Sequence, residues 1–510
     1  MLTRKQLQFV FVVLALSAMI LAGTAFAKQG PDKVVIWTTN PSETVVDWDK
    51  DPILKEVEKA TNTDIEVVVV SGTLTDQINA AIASGTLPDI IPVVGPDQYG
   101  VTRRWATDGV LAAYEGDVAA AAPNVIKQYE MNPTLNELKI DGKIYFQPVF
   151  WGHGDYPNGG LIHVRKDLLD KYGMTPPETF DEYFNYLKTC KDNGDDMGVV
   201  FAGSGGVQGA LSAFVGAYGV PSAGWVKAND GFEFWALQPE VKQGLLKFRE
   251  MIAEGLVHPG VWEMNDDVAR TAFVSGTSCS AIFWGGGHIG RIQNDMELVN
   301  PDFQEWLLPA LDAGAGSRGY TSEPMFWGTG QLGGMRHNNP VAAARVINFL
   351  VSEEGVKLTA VGVEGVHYTV KDGEIVMLDQ RAKDGFSTEA GHTGAHPLAT
   401  HLVSWVPQEW QNWSLLYGKG KDYRDWFDQM WANQGMYQMP TYGLLTMSPE
   451  WSYFQPTSNE LVAQAFTAIV KSGTEEEALA LYDQFVKDWL ASGGAQAQAE
   501  MSQLLMKVYK

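Results

Sequence analysis

Among the 17 Trp residues four in glycine-rich or turn contexts stand out: Trp151 before Gly-His-Gly, Trp284 before Gly-Gly-Gly-His288, Trp327 before Gly-Thr-Gly, and Trp405 in Ser-Trp-Val-Pro. An indole in such a context is a rigid apolar plane, which suits the C–H faces of a sugar ring, while a polar neighbour can hydrogen-bond a hydroxyl. The bland alternative for any Trp is core packing, and Trp235, Trp306 and Trp489, at helical or strand spacing, are assigned to it. Trp48, in Val-Asp-Trp-Asp, is a further candidate. Polar candidates come from loops expected after strands: Asn40 and Glu43 after Trp37, and Asp97 and Tyr99 after Val94. His288 follows the glycine run and Glu323 stands before Pro324.

Other chemistries are less well served. Gly285 to Gly287 lacks both a Gly-Lys-Ser/Thr ending and the spaced glycines of a dinucleotide loop, so close approach of backbone to ligand is its reading. His392, His396 and His401 have a spacing that suggests metal ligands, but Gly394 and Pro397 forbid a helix that would align them. They read as a solvated loop, and neither a metal nor a cofactor is expected. There is no Ser nucleophile elbow and no His-Glu-x-x-His. Among 61 acidic residues no context singles out the carboxylate pair that a glycosidase needs. A secreted glycoside hydrolase is therefore the alternative to a non-enzymatic binding protein.

The elements that would position these residues follow from periodicity. Lys33 to Trp37 is a short apolar strand, Asp51-Pro52 opens an amphipathic helix through Ala60, and Ile65 to Val70 is a second β-branched run. A helix from Asp76 to Ser84 and a third strand, Asp89 to Val94, complete a βαβαβ pattern, which argues for a mostly parallel sheet with helices on both faces. Ligands of such sheets lie outside the carboxyl ends of the strands. Later, Leu161 to Val164 is a strand, and Thr179-Phe-Asp-Glu182 is a capping box for a helix to about Lys191. The same Thr-x-x-Glu pattern at Thr457 and Thr474 marks the last 55 residues or so as helical.

With 510 residues the chain is long enough for two or three domains. Lys and Arg total 37 against 61 acidic residues, a net charge of −24 that disfavours nucleic acid and anionic membrane surfaces. The N-terminus has the layout of a secretory leader: Arg4 and Lys5, an apolar run from Phe9 to Ala22, then small residues ending at Ala27. Cleavage after Ala27 would release a soluble periplasmic protein. No Cys lies in or just after the apolar run, so it is not read as a lipoprotein. The two cysteines, Cys190 and Cys279, are compatible with one bridge or with two buried thiols.

Beyond the leader, several segments line up in order: Val34-Val-Ile-Trp37; Ser84-Gly-Thr-Leu-Pro-Asp-Ile90; Asp141-Gly-Lys-Ile-Tyr-Phe-Gln-Pro148; His163 through Tyr183; and Gly362-Val-Glu-Gly-Val-His-Tyr-Thr369. This order resembles the family 1 extracellular solute-binding proteins of ABC importers, in particular the long branch with alginate-binding and lipoprotein-like oligosaccharide receptors. The resemblance implies a two-lobe α/β periplasmic-binding-protein fold, each lobe a mostly parallel sheet flanked by helices, with a helical C-terminal extension. It places residues 28–148 and 325–388 in the N-terminal lobe and 149–324 and 389–510 in the C-terminal lobe. Crossings are expected near Pro148 to Gly154, Tyr320 to Pro324 and Gly385 to Leu398.

The resemblance also implies a carbohydrate held between the lobes by a monomeric receptor and passed to ABC transporter permease subunits. Trp284 and Trp327 gain weight, because corresponding positions in the family line the cleft. The acidic net charge points to a neutral oligosaccharide. One departure is the calcium loop of alginate-binding members: here Lys191 to Met197 is too short for a 12-residue ligand loop of the EF-hand type, and no calcium is expected.

Overall fold

The computed structural model describes residues 30–508 apart from 39–45, 71–73, 95–98, 132, 150–156, 159, 196, 229, 285–288, 323–327, 333–338, 372–373, 387–395, 401–435 and 438–447. The β-branched runs form β1 (Asp32–Thr38), β2 (Thr63–Val69) and β3 (Ile90–Val94). Between β1 and β2 lies α1 (Pro52–Thr61), started by Pro52 and by Asp51, whose carboxylate accepts the Leu54 N–H at 2.6 Å. Between β2 and β3 lies α2 (Leu74–Ser84). The chain continues through β4 (Phe146–Val149), β5 (Pro157–Asn158) and β6 (Gly160–Arg165). The expected capping box then opens α3 (Phe180–Asp192): Thr179 Oγ1 accepts the Glu182 N–H, and the Glu182 carboxylate accepts the Thr179 N–H.

Next come α4 (Gln208–Gly216), the hairpin β7 (Trp225–Ala228) and β8 (Gly231–Phe234), and α5 (Pro239–Ala253). They are followed by β9 (Ser280–Trp284), β10 (Glu305–Leu307), β11 (Tyr320–Ser322) and β12 (Gly328–Leu332). After α6 (Pro340–Leu350) and α7 (Glu353–Ala360) stand the hairpin β13 (Tyr368–Lys371) and β14 (Glu374–Met377), and the short β15 (Met436–Tyr437). The C-terminal extension is α8 (Pro449–Lys471), α9 (Glu475–Trp489) and α10 (Ala495–Val508). Thr474 caps α9 as its pattern predicts, but Thr457 lies inside α8. Ser448 caps α8 instead, accepting the Trp451 N–H at 2.9 Å, because Trp451 and Phe454 bury the additional turns in a core.

Two sheets share one plan. In the first, with order β2-β1-β3-β12-β4, β1 pairs parallel with β2 and β3, and β12 is inserted antiparallel between β3 and β4. In the second, β6 is the inserted strand, antiparallel to β9 and β10. Parallel bridges from Val200 to Ala281 and from Val199 to Val257 extend that sheet beyond β9. Each sheet is therefore mostly parallel, with one strand entering from the other half of the chain. A third small sheet, β15-β11-β5, pairs β5 and β11 antiparallel.

Each large sheet has its own core. One gathers residues from Val34 to Phe146 with Ala342 to Val351, Phe386 and Leu398; the other gathers Leu161 to Tyr320 with Trp451 to Leu505. Cys190 and Cys279 both lie in the second core as buried thiols without a bridge. Trp235 and Trp489 are buried there too, and Trp306 packs against it, as assigned. Trp48 meets the edge of the His396 ring at the margin of the first core. His396 corrects the solvated-loop reading: it is fully buried, with Nε2 3.0 Å from the second carboxylate oxygen of the α1 cap Asp51. A carboxylate already fixed by a helix end offers a buried partner that its distance in sequence concealed. His392 and His401 lie outside the described residues.

A second buried imidazole makes folding sensitive to pH. His367 Nδ1 accepts the Val363 N–H at 2.8 Å while Nε2 faces Asp384 at 3.1 Å, which assigns the neutral Nε2–H tautomer. Burial holds its pKa below the ordinary value, outweighing the raising effect of Asp384. The folded state thus takes up a proton less readily than the unfolded chain, whose imidazole titrates at about 6.5. His367 contributes its full stability above that pH and loses it as pH falls toward the lowered value. Denaturant titrations should show stability dropping from pH 7.5 to 5.5, and His367→Gln should flatten that slope; an unchanged slope would refute the assignment.

Candidate functional site

The inserted strands fix where the two sheets meet. β12 begins at Gly328 opposite Val149, the last residue of β4, and β6 begins at Gly160 opposite Trp284, the last residue of β9. In each sheet, therefore, the end at which the inserted strand starts is the carboxyl end of the parallel strands. The chain passes between sheets at those same ends, from β4 to β5 and from β11 to β12. Ligands of such sheets bind outside the carboxyl ends of the strands. Here two such edges are connected by paired strands, which makes the space between them the candidate site.

In sequence, the loop candidates adjoin the strands that reach these edges, with one exception. Asn40 follows β1, Asp97 follows β3, Trp151 follows β4, and His288 follows β9; Glu323 directly follows β11 and Trp327 directly precedes β12. All six lie outside the described residues, as does Trp405, which adjoins no described strand. Trp284 has a described backbone, at the carboxyl end of β9; Tyr99, expected in the loop after β3, instead opens a helix, Tyr99–Thr107, and Trp48 packs at the margin of the first core.

The second sheet adds a candidate that the sequence reading did not name. The parallel bridges align Phe201 and the exposed Ser204 and Gly205 with the edge where β9 ends. Trp262 sits beside them: its ring meets Phe201 edge-on at 5.8 Å, and the ammonium of Lys471 stands 3.7 Å from its ring centre. The criterion of a Trp beside a glycine turn would have found it in Pro259-Gly260-Val-Trp262.

Acid–base chemistry has little support among the described carboxyls. The one whose pKa is raised is Glu305, by burial, and it lies wholly inside the second core, where no glycosidic bond can reach it. Among the described residues no group of three or more His, Cys, Asp or Glu could hold a metal ion. No described helix is long and apolar enough to cross a membrane. A groove of about 430 Å³ lined by Lys59, Phe349, Lys357 and Tyr368 opens near the carboxyl end of α1, at the opposite edge of the first sheet from the strand carboxyl ends.

Comparison with known proteins gives the geometry a context. Residues 40–357 match the family described as bacterial extracellular solute-binding protein. The polygalacturonan/rhamnogalacturonan-binding protein of Bacillus subtilis (strain 168) is 26% identical over 408 residues, covering 74% of this chain and 76% of its own. An extracellular solute-binding protein from Bifidobacterium longum subsp. infantis superposes with a TM-score of 0.70 at 19% identity, covering 93% of this chain and 99% of its own. The alginate-binding protein AlgQ2 without calcium ion gives 0.69 at 19% identity, with coverage of 93% and 98%. At such identities the structural likenesses speak to the two-lobe fold alone.

Proposed function

Since the chain belongs to the bacterial extracellular solute-binding protein family, we propose that it captures an oligosaccharide between its lobes and delivers it, uncleaved, to the permease subunits of an ABC importer. The observation that carries this reading is the pair of strand edges, one per lobe, joined by antiparallel strands. A ligand touching both edges is enclosed only when the lobes approach, so its binding energy favours the closed form. We take the ligand to be neutral, because a chain of net charge −24 opposes an anionic saccharide unless local cations offset it. The relative that binds polygalacturonan makes the acidic case the one to test against. We further propose that the receptor is a soluble periplasmic monomer released from its leader after Ala27.

The lobes are proposed as residues 28–148 with 325–398, and 149–324 with 436–510. Leu398 lies in the first core and His396 bonds Asp51, so the third passage is placed after Leu398, later than the sequence suggests. Ligand contacts are proposed at Trp284, Trp327, Trp151, Trp405, Asn40, Asp97, His288 and Glu323, with Trp262 added. Calorimetry against a panel of neutral and uronate oligosaccharides should give saturable binding to a neutral member and no shorter products. Scattering should show contraction on binding. Release of products at catalytic rates would sink the receptor reading.

Trp284→Ala should weaken that binding by about 2–3 kcal/mol, the scale of a lost aromatic anchor. The melting temperature of the unliganded protein should stay nearly constant, since a ligand-facing indole is solvated in the open form. Equal affinity in the two proteins would remove Trp284 from the site.

A further inference from the structure

The strands that leave the second lobe rest directly on one helix. Extending the register of β5 and β11 places Gly160 opposite Gly319, and both glycines lie against α4. The Ser212 hydroxyl accepts the Gly160 N–H, and it stands 3.2 Å from the Gly160 carbonyl and 3.1 Å from that of Gly209. One turn later the Gly319 N–H donates to the Gly216 carbonyl at 3.1 Å. A side chain at Gly160 would collide with the Gly209 carbonyl, and one at Gly216 with the Gly319 carbonyl, so backbone meets backbone at both points.

The helix beneath is itself immobilised. Ala210 through Gly216 are all buried, and Gly244 of α5 packs against the backbone of Val215. On the other side of the crossing, β4 and β12 are integral strands of the first sheet. Each end of the joining pair thus belongs to the core of its own lobe; on the second lobe the Ser212 hydroxyl holds the start of β6 to α4, and the buried Tyr320 hydroxyl, donating to the Leu308 carbonyl at 3.2 Å, holds β11.

We propose that Ser212 is a positioning residue for lobe closure: by fixing the joining strands to α4 it limits how far the unliganded lobes spread. This rests on the receptor reading, in which the lobes close on a ligand. Ser212 is itself buried. Its loss leaves the Gly160 N–H without its side-chain acceptor and gives the open form more conformational freedom than the closed form, so that closure costs more.

The test needs no sugar. Spin labels at Lys59→Cys on α1 and Lys188→Cys on α3, both exposed, report the distance between lobes while buried Cys190 and Cys279 stay unlabelled. In the unliganded protein Ser212→Ala should broaden the distance distribution by about 1.5-fold or more while the second lobe still melts cooperatively. Ser212→Cys, which retains a weaker hydrogen-bonding group, should fall between the two and carries the test alone if Ser212→Ala does not fold. A distribution of unchanged width in the folded variants, whatever their melting temperatures, overturns the proposal. Failure here leaves the receptor reading standing, and failure of every saccharide to bind leaves the distance result intact.

Discussion

Replacing Trp489 with alanine should cost the second lobe about 3–5 kcal/mol, the range for removing a large buried aromatic. The indole has no exposed surface, stacks on Phe234 of β8 with ring centres 5.0 Å apart and planes at 8°, and meets Phe454 of α8 edge-on at 5.2 Å. Its N–H donates to Ser458 Oγ at 2.7 Å. Directly after it the chain widens over Leu490–Gly494 before α10 begins, and Gly494 lies so close to the ring that a side chain there would collide with it. Trp489 of α9 therefore packs at once against α8, the β7–β8 hairpin and the turn that leads into α10. Denaturant unfolding should show the full loss in Trp489→Ala, while Trp489→Phe, which keeps the stack and gives up the hydrogen bond, should lose only about 1–2 kcal/mol. A loss below about 1 kcal/mol in the alanine variant would mean that the extension is held by other contacts.

The first sheet was legible because β1, β2 and β3 alternate with helices whose starts carry chemical signatures, the Asp51-Pro52 start of α1 among them. The second sheet was not. Its equivalents of β1 and β2 shrink to bridges at Val199, Val200 and Val257, too short to show a period, and β6 reads the same whether parallel or inserted. Thr457 misled for a related reason: a capping pattern marks a helix start only where no upstream residue continues the helix, and Trp451 with Phe454 supplies that continuation through burial. His396 and Asp51 are separated by most of the first lobe in sequence, so no local rule could join them. The candidate site was legible only as a set of loop positions that adjoin strand ends in sequence. Its composition was not, because convergence of distant loops is decided by the crossing geometry.

Glu305→Gln should stabilise the protein near neutral pH, the reverse of what removal of a buried ionic partner does. Glu305 and His163 are both fully buried in the second sheet, with a carboxyl oxygen 2.5 Å from Nδ1, and the other oxygen, Oε2, has no hydrogen-bond partner among the described residues. Burial raises the Glu305 pKa well above the carboxylate range, and the Gln293 amide oxygen is occupied in accepting the backbone N–H of Glu305. The folded state therefore holds Glu305 as a neutral acid, whereas the unfolded chain releases that proton at a pH of about 4.3. Its contribution is complete below that pH and declines as pH rises toward the raised folded value, by about 1.4 kcal/mol per pH unit crossed. Glutamine has the shape of the neutral acid, keeps a donor for Nδ1 and needs no proton, so the variant escapes the penalty and offsets the roughly 1 kcal/mol cost of its second, unpaired amide N–H. Glu305→Ala should instead lose about 3–5 kcal/mol, because it leaves the buried imidazole without this partner and opens a cavity. Stability measured from pH 4.5 to 8 separates the alternatives. The glutamine variant should gain on the wild type as pH rises; a gap that stays constant or widens against glutamine would show that Glu305 is buried as a carboxylate paired with a protonated His163, whose charges the fold then has to accommodate within the second core.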